Sequence, residues 1–139
     1  MRDVAYIAIG SNLGDRHGYL ARARHALAAL PDSRIVAASD ISETAPIGPV
    51  EQPEFLNQMI ALETELDPHD LLDRLLGIEA REGRARGIKW GPRTLDLDIV
   101  AFDHQTVSDG TLVVPHPELP NREFWQRELT QLHHVRSTS

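Results

Sequence analysis

Apolar positions along this chain fall into two rhythms. Residues 4–9 form an unbroken apolar run, which predicts a buried strand. Leu20, Ala23, Leu27 and Leu30 then recur at helical spacing, and Pro31 ends that helix. Residues 35–41 predict a second strand and residues 55–66 a long third one. Between them, residues 44–53 hold three prolines and a glycine and read as a loop. Asp67 followed by Pro68 predicts an N-cap with proline in the first helical position. Leu71, Leu72, Leu75, Leu76 and Ile78 form the apolar stripe of that second helix, which runs to about residue 83. Residues 84–94 mix glycine, proline and charge and predict a mobile loop. Residues 96–102 predict a fourth strand, residues 111–114 a short extra one, and residues 121–135 a last helix.

The order β-α-β-β-α-β predicts an α+β fold, a ferredoxin-like sandwich with an antiparallel sheet, helices on one face and a C-terminal extension. No repeat or linker divides the chain, so residues 1–139 are expected to form a single domain. The chain has no cysteine, which excludes disulfides and thiolate metal sites. It has no apolar run long enough to span a bilayer, and its first residues lack a signal-peptide core, so a cytoplasmic location without membrane contact is expected. The net charge of −7 makes a general nucleic-acid binder a poor reading, because that affinity comes mostly from neutralised phosphates. A nucleic-acid-binding module on a ferredoxin-like sheet is the competing class, and the aromatic RNP pattern it would use is missing.

Candidate chemistry concentrates in residues 90–99. Asp96 and Asp98 alternate at the start of an apolar strand, so their carboxylates share one face while Leu95, Leu97 and Ile99 turn to the core. Oxygen ligands of this kind suit Mg²⁺, which binds carboxylates, waters and substrate phosphates. Arg81, Arg84, Arg86, Lys89 and Arg93 crowd just upstream, five of fourteen basic residues within thirteen positions. Guanidiniums that can hold phosphate beside carboxylates that can hold a metal point to phosphoryl-type transfer. Gly10-Ser11-Asn12-Leu13-Gly14 lacks the Gly-Lys-Ser/Thr of a P-loop and reads as a structural connection, with Asp15 a candidate N-cap. No side chain stands out as a nucleophile or general base.

These residues, together with Ala5 to Gly14, Glu43-Thr44-Ala45-Pro46, Gln52 to Asn57, Gly83 to Arg86, Pro115-His116-Pro117 and Asn121 to Phe124, resemble the 6-hydroxymethyl-7,8-dihydropterin pyrophosphokinases over roughly residues 4–124. The resemblance implies transfer of the β,γ-diphosphate of ATP to the hydroxymethyl group of the pterin, with release of AMP, in folate biosynthesis. It implies two Mg²⁺ ions on Asp96 and Asp98, pterin contacts at Thr44, Pro46, Phe55, Asn57, Trp90 and Phe124, and nucleotide contacts at Glu79, Arg84, Arg86, Arg93, His116 and Arg122. Arg84 and Arg93 are the implied catalytic pair. The implied partners are small molecules only, handled by a monomer. Two departures stand out: Phe55 replaces the more usual tyrosine, and Trp125-Gln126-Arg127-Glu128-Leu129 replaces an apolar, proline-containing segment.

If Arg84 acts on charge that develops during transfer, Arg84→Ala lowers the single-turnover rate more than it weakens ATP binding. Rapid-quench kinetics beside an ATP titration separate the two. A raised ATP dissociation constant with an unchanged rate would reduce Arg84 to a docking residue.

Overall fold

The computed structural model describes residues 2–46, 48–49, 51–83 and 94–138. Strand β1, Asp3–Ser11, is buried along its whole length. It lies at the centre of an antiparallel sheet, paired on one side with β4, Phe55–Thr64, and on the other with β5, Asp96–Phe102. Strand β2, Ser33–Ala38, covers the outer edge of β4, giving the order β2-β4-β1-β5.

A third short strand, β3, Ser42–Thr44, lies on that same edge of β4, with Thr44 opposite Phe55 and Ser42 opposite Asn57. The expected loop therefore begins one residue later than Thr44. The expected second strand, in turn, stops at Ala38 rather than running to residue 41. Ser39 occupies the break. Its N–H donates to the Met59 carbonyl, its hydroxyl accepts from Met59 N–H, and its carbonyl accepts from the Gln58 amide. The polar segment Ser42–Thr44 becomes a strand because the start of β4 offers it unpaired backbone groups, not because of any apolar rhythm.

Helix α1, Arg16–Ala28, is capped by Asp15, whose side chain accepts from Gly18 N–H, and buries Leu20, Ala23 and Leu27. Helix α2, Pro68–Arg81, starts at the expected Asp67 cap and buries Leu71, Leu75 and Ile78. Both pack on one face of the sheet against Ala5, Ile7, Ile9, Leu56, Ile60, Leu62, Leu97 and Ile99. Leu76 departs from the expected stripe and is half exposed.

The opposite face is also covered, which corrects the expectation of helices on one face. After a 3-10 turn at Leu119–Asn121, helix α3, Glu123–Thr138, lays Trp125 and Leu132 on Val4, Tyr6, Ala8, Met59, Ala61 and Val100. Its far end is tied down by Arg136, which donates to the Tyr6 hydroxyl and to Asp103, while Tyr6 donates to Asp103 at 2.7 Å. The His133 ring meets the Tyr6 ring edge-on at 5.2 Å. The expected short strand is confirmed as β7, Val113–Val114, and it pairs with β6, Val107–Ser108, which the sequence reading did not mark.

The β1–β5 pairing slips by one residue between Tyr6 and Ile7, leaving Val100 as a bulge. Val100 and Ala101 consequently both pack under α3, and Phe102 turns to the α1/α2 side.

Under α3 lies the carboxyl of Glu128, 6% exposed, whose two oxygens find no hydrogen-bond partner among the described residues. Burial pushes this carboxyl up to about 7 from its ordinary value of 4.5, with Arg127 opposing. A raised carboxyl pKa in the folded state means stability is fullest below the unfolded value and falls as pH rises from there through the folded one. Glu128→Gln should therefore gain on the wild type by on the order of 2 kcal/mol between about pH 5 and about pH 8. Urea unfolding at both pH values measures this. Parallel stability curves for the two proteins would show that the carboxyl is solvated.

Candidate active site

The site is built on the edge strand β5. Asp96 and Asp98 turn to the α3 side of the sheet, while Leu95, Leu97 and Ile99 enter the α1/α2 core as expected. Across the sheet, Asp96 lies opposite Gly10 and Asp98 opposite Ala8, and Gly10 in turn lies opposite Asn57 on β4. Asn57, Gly10 and Asp96 thus form one row across three strands. Two strand spacings separate the amide from the carboxylate, or about 10 Å between backbones.

That row floors a pocket of about 330 Å³. Thr44, Ala45, Phe55 and Asn57 wall it on the β3/β4 side, Leu72, Leu76 and Glu79 on the α2 side, and Arg122, Phe124 and Trp125 at the start of α3. Asn57 donates to the Thr44 hydroxyl at 2.6 Å and, at 3.4 Å, to the Phe55 carbonyl. Its Oδ1 and the Phe55 ring flank Gly10, each 3.4 Å from where a side chain on that residue would begin. A side chain on Gly10 would stand inside the pocket between Asn57 and Asp96. Pro46, expected at the pocket, is half-buried one residue beyond Ala45 and does not line it.

A second pocket, about 320 Å³, opens on the other flank of β5. Asp98, Leu97 and Leu72 belong to both pockets, and Asp109, Thr111, Leu112, Val113 and His116 are among the others that line the second. Asp98 thus stands on the divide between the two. His116 Nδ1 accepts from Glu118 N–H at 3.0 Å, so the neutral ring carries its hydrogen on Nε2. That nitrogen faces Asp98 Oδ1 at 3.7 Å. Burial, and then the Arg122 guanidinium, hold the imidazole below its ordinary range, with Glu118 and Asp96 opposing. At neutral pH His116 is therefore an uncharged N–H donor.

Arg122, expected beside the nucleotide, lines the first pocket, its guanidinium 4.3 Å from the centre of the Trp125 ring. Trp125 also receives His116 and Phe124 edge-on, at 4.9 and 6.0 Å. It is a wall residue that the motif reading missed, although its position three residues after Arg122 on a helical segment was a usable signal.

Glu79, also expected at the nucleotide, lines the first pocket, and its carboxylate has a second task. Oε2 accepts the Leu97 N–H at 2.7 Å. Leu97 lies between the two aspartates on a strand edge without a neighbour among the described strands. Glu79 closes that edge and fixes the backbone that aims both carboxylates. The remaining expected site residues, Arg84, Arg86, Trp90 and Arg93, lie outside the described residues, as does the loop expected at 84–94 except for Thr94.

A metal ion is compatible with this donor set. Asp96 and Asp98 are partly exposed, project from alternate positions of one strand and open on the same pocket, and the third nearby carboxylate is held by the backbone.

The chain matches the family model of 7,8-dihydro-6-hydroxymethylpterin-pyrophosphokinase over residues 6–134. It is 45% identical over 119 residues to the 2-amino-4-hydroxy-6-hydroxymethyldihydropteridine pyrophosphokinase of Pseudomonas aeruginosa, covering 86% of this chain and 74% of that protein. The protein of the same name from Methylorubrum extorquens is 47% identical over 120 residues, covering 86% and 76%. That of Bacillus subtilis is 40% identical over 132 residues, covering 95% and 79%.

Removing the Glu79 carboxylate leaves the Leu97 N–H buried without its acceptor, so Glu79→Ala should cost about 1–3 kcal/mol of stability. Glu79→Gln keeps an acceptor oxygen and should recover most of it. Thermal unfolding of the two variants measures the difference. Equal stability of Glu79→Ala and wild type would refute the edge-closing role.

Proposed function

Because the chain belongs to the 7,8-dihydro-6-hydroxymethylpterin-pyrophosphokinase family, we propose that it transfers the β,γ-diphosphate of ATP to 6-hydroxymethyl-7,8-dihydropterin and releases AMP. Pyrophosphoryl transfer to a hydroxymethyldihydropterin in folate biosynthesis is the activity of this family. The finer reading assigns the two pockets. The pterin ring takes the first, and the nucleoside end of ATP takes the second. The core strands fit the ferredoxin-like pattern, and the chain works as a soluble monomer. Among the described residues no helix is long and apolar enough to cross a membrane.

One observation carries the assignment: Asn57 and Asp96 lie in one row, with only Gly10 between them. An amide offers both a donor and an acceptor to the mixed edge of a pterin. The spacing suits a bicyclic ring that is gripped at one end and presents its hydroxymethyl arm at the other. Phe55, Phe124 and Trp125 supply apolar surface for a flat heterocycle. Asp98, shared by both pockets, marks where the triphosphate would pass from one to the other.

Asp96 and Asp98 are the residues that would hold Mg²⁺, for which we propose two ions. Bound there, the metal would supply charge neutralisation on the phosphates and a lowered pKa for the attacking hydroxyl. The chain's own groups do the rest. His116, uncharged, presents its Nε2–H beside Asp98 without adding a competing cation. Arg122 brings positive charge to the first pocket. Arg84, Arg86 and Arg93 are proposed to offset charge on the transferred and leaving oxygens, and Trp90 to cover the ring. The reaction then rests on positioning and charge neutralisation, which is what phosphoryl-type transfer asks of a protein.

AMP formation from ATP, measured with and without the pterin, tests the reading. The wild type should form AMP only when both are present. Asp96→Ala and Asp98→Ala should each lower turnover by about a thousandfold or more while the fold survives. Near-normal AMP release from either variant would remove the aspartates from the site. ATP cleavage that ignores the pterin would overturn the acceptor.

A further inference from the structure

The first pocket depends on a segment that is held from elsewhere. Thr44 and Ala45 at one end of residues 44–55 and Phe55 at the other line it. Pro46, Pro49 and Pro53 within the segment have no backbone N–H to give. Beyond the pairing of Thr44 with Phe55, both ends of the segment are held by the connection between β1 and α1.

Asn12, 1% exposed, donates through Nδ2 to the Gln52 side chain at 2.8 Å and to the Pro53 carbonyl at 3.0 Å. Arg16, the first residue of α1, donates to the Glu54 carbonyl at 3.0 Å and to the Glu43 carboxylate at 3.1 Å. Glu43 immediately precedes Thr44, and residues 52–54 immediately precede Phe55. The two donors therefore grip both ends of the segment where it enters and leaves the pocket wall. Neither side chain lines the pocket itself.

We propose that Asn12 and Arg16 are positioning residues that set pterin affinity through this clamp, without touching the ring. The proposal rests on the pterin reading of the first pocket. The Arg16–Glu43 ion pair is partly solvated and contributes little stability. The carbonyl bonds matter more, because they fix backbone beside Phe55. Asn12 is the stronger element: it is buried, and its bonds to Gln52 and Pro53 both end on the segment. The loss should appear in pterin binding and not in nucleotide binding, since the second pocket shares no residue with the clamped segment.

The test uses Asn12→Asp and Arg16→Ala in the whole protein. Asn12→Asp keeps the side-chain volume but cannot donate to the Pro53 carbonyl. Arg16→Ala removes a partly exposed side chain, so its folding is secure should Asn12→Asp fail to fold. Titrations with 6-hydroxymethyl-7,8-dihydropterin and, separately, with a non-hydrolysable ATP analogue read the two affinities, and steady-state kinetics read KM and kcat for the pterin. Expected are a pterin dissociation constant and KM raised about tenfold, nucleotide affinity within about twofold of wild type, and kcat retained at saturating pterin. Arg16→Lys, which keeps one charged donor, should recover part of the loss. Unchanged pterin affinity in Arg16→Ala, or equal losses for both ligands, would overturn the clamp. A wild type that binds the nucleotide and not the pterin would instead overturn the functional reading, and the clamp with it.

Discussion

The register of β1 between its two neighbours is the constraint on which the site depends. Side chains on a strand alternate, so the pairing of β4 and β5 with β1 decides which of their residues share a face. With Gly10 opposite both Asn57 and Asp96, the hydrogen-bonding amide and the first carboxylate are locked to one face at one spacing. A slip of one residue on either side would send one of them into the α1/α2 core. Such slips are strongly resisted, because Leu56, Ile60 and Leu62 would leave that core with a slip of β4, and Leu97 and Ile99 with a slip of β5. The geometry of the polar site is thus maintained by apolar burial on the opposite side of the sheet.

Edges are the second theme. The aspartates sit on a strand whose outer side has no strand partner among those described, and Glu79 supplies the missing acceptor. An edge strand at this place leaves both flanks of Asp98 open, one to each pocket. A central strand would hold the same carboxylates more rigidly but would close one flank. Glu79 reconciles the two demands: it satisfies the backbone and leaves the side chains of Asp96 and Asp98 turned to the site.

Much of this was legible in the sequence. The unbroken apolar run of β1 marked it as a buried strand, though not that a core lies on each side, and the bounds of β5 were read correctly. Both helix starts followed from Asp15 and from Asp67-Pro68, because caps act locally. Strand β3 was not legible, since Ser42, Glu43 and Thr44 have no apolar rhythm and owe their conformation to β4. Nor was the docking of α3: Trp125, Leu129 and Leu132 are spaced to face one side, but nothing in the spacing says which sheet face is vacant. For the site, the shared face of Asp96 and Asp98 was visible from the strand period. The roles of Asn12 and Arg16 were hidden, because their partners Pro53 and Glu54 lie 41 and 38 positions away.

The bulge at Val100 splits β5 into two halves that answer to different neighbours. In an unbroken strand Asp96, Asp98, Val100 and Phe102 would all face the same way. The extra residue cancels that coupling, so Phe102 fills the α1/α2 core while the aspartates face outward from it. Repacking around Phe102 is thereby uncoupled from the direction of the carboxylates. The chain has room to drift at the back end of this strand while its front end stays aimed.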